Sequence, residues 1–176
     1  MGHEKVQLMQ GPLEEWMQLG GPVDEEPTTV LLAKDLDLSK PTKYQARDPV
    51  DVVDMNDMLN IVQGKEEATL IDPRGSSFSK KGYIPGSIHI PYASLVENDN
   101  RLKLKDPQKL KAIFEEAGVD IQSEKPIVTT CGSGVSVCHV YLALQECGRT
   151  GETKIYDGSW NEWSKNPDAP KVAPEK

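Results

Sequence analysis

The chain has 176 residues, a formal net charge of −8 and 37% hydrophobic residues. This length accommodates one domain and some additional sequence, and the acidic balance argues against nucleic acid or an anionic membrane as a partner. No apolar run is long enough to span a bilayer, and the acidic N-terminus predicts neither a signal peptide nor a transit peptide.

The first 24 residues contain a partial internal repeat. Residues 10–16, Gln-Gly-Pro-Leu-Glu-Glu-Trp, match residues 157–163, Asp-Gly-Ser-Trp-Asn-Glu-Trp, in the spacing from Gly to Trp. Both copies follow an apolar stretch that we interpret as a short strand. Residues 1–24 are therefore either the end of a preceding domain or an ordinary strand–turn–helix fragment, and a single aligned pair leaves both open. Residues 25–48 contain prolines without sustained periodicity, which predicts an extended linker.

Residues 49–168 alternate between strand and helix patterns, and residues 169–176 read as a C-terminal tail. Predicted strands lie at residues 69–72, 87–91, 128–131 and 154–156, and predicted helices at residues 54–64, 106–118 and 134–147. Strands that alternate with helices predict an α/β domain with a central parallel sheet covered on both faces. In such sheets, the loops at the carboxyl ends of the strands form the functional site.

The most informative stretch follows the predicted strand at residues 128–131. Residues 131–136 read Cys-Gly-Ser-Gly-Val-Ser and lead into a helix. Gly132 and Gly134 allow positive φ values, so the loop can turn its N–H groups toward one point, and the helix that begins near Ser136 adds its positive end. This pattern favours a reactive thiolate at Cys131. The alternative is a small buried cysteine at a tight turn, which would not require two glycines and two hydroxyls.

The same loop disfavours phosphoryl transfer. A cysteine phosphatase needs an arginine after the loop to bind phosphate oxygens, whereas Val137 and Cys138 stand there. His139 follows on the helix, where we expect a surface or half-buried residue rather than a ligand. The loop suits a persulfide, Cys–S–S⁻, whose outer sulfur would accept hydrogen bonds from the loop N–H groups and from Ser133 and Ser136.

The loop at residues 131–136 resembles the active-site loop of the 3-mercaptopyruvate sulfurtransferases, within the rhodanese superfamily. Three further segments match that family, namely Ile-Asp-Pro-Arg at 71–74, Gly-Tyr-Ile-Pro-Gly-Ser at 82–87 and Ile-Tyr-Asp-Gly-Ser-Trp-Asn-Glu-Trp at 155–163. Their order and spacing resemble those of a rhodanese domain over roughly residues 50–168. The resemblance implies a rhodanese fold with a central parallel five-stranded sheet, and it implies no metal or organic cofactor.

The resemblance also implies a sulfurtransferase. Cys131 would take a sulfane sulfur from a small-molecule donor and pass it, through a persulfide, to a thiol, to cyanide or to a sulfur-carrier protein. Mercaptopyruvate is the preferred donor, because rhodaneses that favour thiosulfate tend to carry basic residues inside the loop. Thiosulfate is the alternative donor, and a weakly catalytic persulfide carrier or interaction module is an alternative of another class. Since these enzymes are commonly tandem, residues 1–24 would be the end of a rhodanese domain that precedes this one, and that domain would be a partner.

The family assigns expected roles to the residues of the loop. Ser133 would help to activate Cys131 and move a proton, or it would only stabilise the turn. We expect Gly132, Gly134, Val135 and Ser136 to border the substrate, with Ser136 also capping the following helix.

Arg74 matches the arginine that binds the donor carboxylate in the family. A salt bridge to a nearby acid is an equally good interpretation, and we expect Asp72 to fix the backbone of its own loop. The sequence departs from the family at Ser77, which replaces a second arginine, and at Tyr83, which replaces a histidine.

The three cysteines indicate a reducing compartment. Cys138 and Cys147 lie on one predicted helix, roughly 13 Å apart at the usual rise per residue, which is too far for a disulfide. We expect both to be packing residues on a buried face. These features predict a cytoplasmic protein, with the mitochondrion as the alternative if a longer native N-terminus carries a targeting signal.

Overall fold

The structure, a computed structural model, describes residues 6–26, 39 and 51–174. The chain divides into two compact units, residues 1–49 and 50–176. The described part of the first unit contains helix α1, Leu13–Gln18. Residues 6–10 form no strand, and Val6 and Leu8 are exposed. A strand needs a neighbour for its backbone hydrogen bonds, and the described residues of this unit supply none, so the domain remnant predicted for residues 1–24 stays a prediction.

The predicted linker at residues 25–48 lies almost entirely outside the described residues. The second unit contains a sheet of five parallel strands in the order β1-β5-β4-β2-β3. The strands are β1 Val52–Val53, β2 Thr69–Asp72, β3 Ser87–His89, β4 Ile127–Thr129 and β5 Thr153–Tyr156. The predicted parallel five-stranded sheet is confirmed. Strand β1 was not predicted, because two residues are too few to show a period-two pattern.

Helices lie between successive strands of this sheet, and the last helix follows β5. They are α2 Met55–Val62, α3 Ser77–Lys81, α4 Tyr92–Leu95, α5 Pro107–Glu116, α6 Val137–Glu146 and α7 Ser159–Trp163. The predicted start of α2 is confirmed, because the Asp54 carboxylate accepts the N–H groups of Asn56 and Asp57 and the Asp57 carboxylate accepts that of Asp54. Asp106 caps α5 by accepting the N–H of Gln108.

Side chains of the sheet alternate between two hydrophobic clusters. Leu70 and Val128 contribute to one cluster, whereas their neighbours Ile71 and Ile127 contribute to the other, as the alternation of side chains along a strand requires. Helices α2 and α7 cover the first face with residues that include Met58 and Trp163, and α5 and α6 cover the second with residues that include Phe114 and Leu144. The prediction of helices on both faces is confirmed.

The predicted C-terminal tail at residues 169–176 begins as part of the domain. Ala169 is buried in the cluster that contains Trp163, whose indole N–H donates to the carbonyl of Pro170 at 2.8 Å. Val172 pairs with Tyr83 through two backbone hydrogen bonds. The domain therefore extends past residue 168, because these residues bury apolar surface and satisfy the indole N–H.

Candidate functional site

An open cavity of about 470 Å³ lies at the carboxyl ends of β2 and β4. Six of the seven residues that the sequence predicts for the site line it: Arg74, Cys131, Gly132, Ser133, Val135 and Ser136. The seventh, Gly134, does not line the cavity, and a Cβ built on it would meet Asp157. The parallel sheet thus brings together two segments that lie far apart in the sequence, as expected for loops at one edge of the sheet.

Hydrogen bonds fix the backbone of Cys131 just after β4. Its residue is 2% exposed, and its N–H donates to the hydroxyl of Ser159 at 3.1 Å. Helix α7 also binds this loop, because the N–H groups of Trp160 and Asn161 donate to the carbonyls of Cys131 and Gly132. The start of α7 therefore fixes the backbone on which the thiol stands.

The surroundings of the Cys131 sulfur favour the thiolate. Burial by itself raises the pKa of this thiol, since desolvation disfavours the anion. The hydroxyl of Ser136 and the backbone N–H groups of Ser133, Val137 and Ser136 donate to the sulfur and outweigh burial, so that the pKa of Cys131 lies below its ordinary value. This convergence of donors is the anion-binding loop that the sequence predicts.

Ser136 has a different local role from the one expected. Its side chain makes no capping hydrogen bond at the start of α6, so the predicted helix cap is wrong. The αR backbone of Ser136 differs from the extended backbone that a capping residue normally adopts, and a hydrogen bond from its hydroxyl lowers the pKa of Cys131 instead. Ser133 contributes its N–H to the sulfur and lines the cavity.

The two glycines of the loop are not equivalent. Gly134 has φ +81°, and a Cβ at this position would lie 2.5 Å from Oδ1 of Asp157 and 3.0 Å from its carbonyl oxygen. Gly132 does not adopt a positive φ, and a Cβ there would have its nearest neighbour, Cδ of Arg74, at 4.0 Å. The expectation of positive φ at Gly132 is therefore wrong, since the turn needs only one left-handed residue.

We expect Ser136→Ala to raise the pH at which Cys131 becomes reactive. The variant removes the side-chain hydrogen bond that lowers the pKa of the thiol, and a hydrogen bond of about 1 kcal/mol changes an equilibrium roughly fivefold. The rate of alkylation by iodoacetamide, followed against pH, measures this midpoint. Ser133→Ala is the matched control, because Ser133 donates through its backbone and that donor survives. An equal midpoint in both variants would contradict this account.

Arg74 is held by a network of its own. Its Nε donates to both carboxylate oxygens of Asp72, and its Nη2 lies 2.7 Å from Asp72 Oδ2. Nη2 also donates to the carbonyl of Gly82, and the guanidinium lies over the rings of Trp160 and Phe78. Of the two interpretations of Arg74, the salt bridge is present, and the carboxylate clamp stays a prediction. Asp72 also accepts the Arg74 N–H, which confirms its expected role in the loop.

Ser159 is the important residue that the sequence did not indicate. It is fully buried, and its φ of +51° is unusual for a residue that is not glycine. Its hydroxyl accepts the N–H of Cys131, lies 3.9 Å from the sulfur and donates to the carbonyl of Tyr156 at 2.8 Å. The signal for this residue in the sequence is the Gly-Ser-Trp segment at residues 158–160, which is part of the family resemblance.

The remaining cysteines differ from each other. Cys147 is buried, as predicted, and burial raises the pKa of its thiol. Cys138 is exposed, so its predicted burial is wrong. The buried face of α6 carries Val137, Val140, Ala143 and Leu144. Cys138 lies one position from Val137, a turn of about 100° that points it away from this face.

Comparisons with known proteins identify the family of this chain. Residues 54–166 match the Rhodanese-like domain family. The chain belongs to this family. Mouse 3-mercaptopyruvate sulfurtransferase is 31% identical over 175 residues, which cover 92% of this chain and 54% of that protein. Chicken thiosulfate sulfurtransferase is 33% identical over 168 residues, with the same two coverages.

The rhodanese fold is shared with solved structures. The crystal structure of the 3-mercaptopyruvate sulfotransferase SseA from Escherichia coli has a TM-score of 0.54 and 34% identity, and the match covers 65% of this chain and 44% of that one. This rhodanese domain spans about half the length of the curated relatives it matches. None of its described helices is long and apolar enough to cross a membrane.

Proposed function

We propose that this rhodanese domain is a sulfurtransferase that moves a sulfane sulfur from 3-mercaptopyruvate, through a persulfide on Cys131, to a thiol, cyanide or protein acceptor. The observation that supports this proposal is the Cys131 thiol, which lines the cavity and whose pKa is lowered by hydrogen bonds from one hydroxyl and three backbone N–H groups. Such donors stabilise an anionic sulfur without a metal. The names of the relatives agree with this class of reaction.

The proposed reaction has two steps. The Cys131 thiolate attacks the sulfur of mercaptopyruvate, the S–S bond forms, the C–S bond breaks, and the proton of the donor thiol passes to the departing carbon so that pyruvate leaves. An acceptor thiolate then attacks the outer sulfur and restores the Cys131 thiolate. Ser133 is the proposed proton carrier, because its hydroxyl can both donate and accept and the residue lines the cavity.

Thiosulfate is the second candidate donor. The curated relatives include thiosulfate sulfurtransferases at similar identity. With this donor, Cys131 takes the outer sulfur and sulfite leaves. We favour mercaptopyruvate, because the loop at residues 131–136 carries no basic side chain for a dianion such as thiosulfate.

A further proposal concerns the first unit of the chain. Residues 1–24 would be the end of a preceding rhodanese domain, since several apolar side chains of the first unit are exposed, among them Leu8 and Leu19.

A weakly catalytic persulfide carrier is the alternative function. The observation that favours it is Ser77, which lines the cavity at the position where the family resemblance implies a second arginine.

Intact-mass spectrometry tests the proposed function. The reduced protein is incubated with mercaptopyruvate or with thiosulfate, and we expect a gain of one sulfur atom, faster with mercaptopyruvate. Peptide mapping then identifies the modified cysteine, and a second incubation with cyanide or a thiol is expected to remove the sulfur. A protein that gains no sulfur from either donor would overturn the proposal. A protein that gains the sulfur but does not pass it to cyanide or a thiol would be the persulfide carrier.

Arg74→Ala is expected to act mainly on stability. The variant leaves the buried carboxylate of Asp72 without its partner, and breaking a buried pair typically costs about 3–5 kcal/mol. Urea unfolding measures this loss. We also expect a rise of only a few-fold in KM for mercaptopyruvate, because most guanidinium donors bind Asp72 and backbone carbonyls. A rise above roughly a hundredfold in a fully folded variant would instead make Arg74 the carboxylate clamp.

A further inference from the structure

The cavity beside Cys131 contains a histidine that the proposed reaction does not use. His139 lines the cavity together with Cys131 and Ser136. It lies in the first turn of α6, three residues after Ser136, whose hydroxyl donates to the Cys131 sulfur. Residues three apart on a helix are neighbours on one face, with about 5–6 Å between their Cβ atoms. The imidazole is therefore within reach of a small molecule whose sulfur contacts Cys131.

The orientation of the His139 ring is constrained by its neighbours. The ring packs against Tyr92 with 5.2 Å between the centroids and a tilt of 47°. Its Nδ1 is buried and has no hydrogen-bond partner among the described residues. A proton on Nδ1 would be a buried donor without an acceptor, so the neutral ring carries its proton on Nε2. Because His139 lines the cavity, its Nε2–H group can then donate to a ligand there.

The rest of the cavity leaves this donor without a strong competitor. No described residue that lines the cavity is acidic. The cationic side chain there is Arg74, whose Nε and Nη2 groups bind Asp72 and Gly82 while Nη1 donates to the carbonyl of Ser77 at 3.4 Å. The positive end of α6 adds a favourable potential for an anion. An oxyanion beside the Cys131 sulfur therefore finds its most available side-chain N–H at His139.

We propose that His139 binds the anionic end of the sulfur donor through a hydrogen bond from Nε2–H to a carboxylate or sulfonate oxygen. It thereby selects small donors whose oxyanion lies close to the transferable sulfur, as in mercaptopyruvate, where two carbon atoms separate sulfur from carboxylate. This inference rests on the proposed sulfur transfer. His139 positions the donor for attack by Cys131, and the sulfur-transfer chemistry stays with Cys131 and the loop.

The test compares His139→Phe with His139→Gln. Phenylalanine keeps an aromatic ring against Tyr92 but has no N–H, whereas the glutamine amide can place an N–H near the position of Nε2. With mercaptopyruvate, we expect His139→Phe to raise KM by roughly 10-fold to 100-fold, the effect of a hydrogen bond to a charged group, with kcat nearly unchanged. His139→Gln is expected to restore most of the affinity. Inorganic polysulfide, which has no carboxylate, is expected to form the persulfide at equal rates in the wild type and in both variants.

Two results would overturn the assignment of His139. One is an unchanged KM for mercaptopyruvate in a folded His139→Phe variant. The other is an equal rise for mercaptopyruvate and polysulfide that His139→Gln does not reverse, which would show a structural role. Thermal unfolding establishes that each variant is folded at the assay temperature. Failure of the wild-type protein to gain sulfur from any donor would contradict the proposed function itself. Normal persulfide formation in the wild type, combined with either result above, would contradict only the role of His139.

Discussion

Cys131→Ser is expected to abolish sulfur transfer while the domain stays folded. A serine hydroxyl has nearly the same size as the thiol but does not ionise in this pH range, so it can neither attack a sulfur donor nor hold a persulfide. We expect the turnover rate to fall by at least roughly a thousandfold. The structure supports this magnitude, because Cys131 is the cysteine whose thiolate is stabilised by loop N–H groups. Steady-state turnover and intact mass after exposure to the donor measure the loss.

The other two cysteines provide matched controls. Cys138 is exposed, and burial raises the pKa of Cys147, so neither has the environment of an activated thiol. Cys138→Ser and Cys147→Ser are expected to keep near-normal persulfide formation. A persulfide that maps to Cys138 or Cys147, together with turnover by Cys131→Ser, would contradict the assignment of the sulfur to Cys131.

The sequence predicted those parts of the domain that depend on local patterns. Strand β4 and the glycine-rich turn after it place Cys131 at the carboxyl edge of the sheet, and the capping box of Asp54 marks the start of α2. These predictions succeeded because hydrophobic periodicity, capping residues and turn residues act over a few positions. The short elements β1, α3 and α4 were missed because they span too few residues to show a period.

The contacts that complete the site could not be predicted in the same way. Ser159 reaches Cys131 across 28 positions of sequence, and His139 enters the cavity only because α6 places it on the face of Ser136. A single sequence shows that these side chains are polar, but not which element they face. The choice between a clamp and a salt bridge for Arg74 likewise depended on where the carboxylate of Asp72 lies.

Gly134→Ala is expected to have the second largest effect on activity. At φ +81°, a residue with a side chain is strained, and the added Cβ would lie 2.5 Å from Oδ1 of Asp157. The loop must shift to relieve this contact, and it then turns the N–H groups of Ser133 and Ser136 away from the sulfur. Removing one such donor from an anion site commonly costs roughly a hundredfold in rate, and we expect a loss of at least this size.

The stability of the Gly134→Ala variant is expected to fall much less than its activity. A left-handed backbone costs a residue with a Cβ about 1–2 kcal/mol, a loss that leaves a domain of this size folded. Urea unfolding therefore separates the two effects. Activity near the wild-type level in a folded Gly134→Ala variant would contradict the role of the loop N–H groups in holding the anionic sulfur.

Gly132→Ala is the control for this prediction, because it adds the same methyl group to the same loop two residues away. Gly132 does not have a positive φ, and the nearest atom to an added Cβ is Cδ of Arg74 at 4.0 Å, an ordinary van der Waals distance. We therefore expect Gly132→Ala to keep most of its turnover and stability. Equal losses in both variants would show that the loop responds to any added side chain, whereas a loss confined to Gly134→Ala would trace the activity to the one left-handed residue that aims the N–H groups at Cys131.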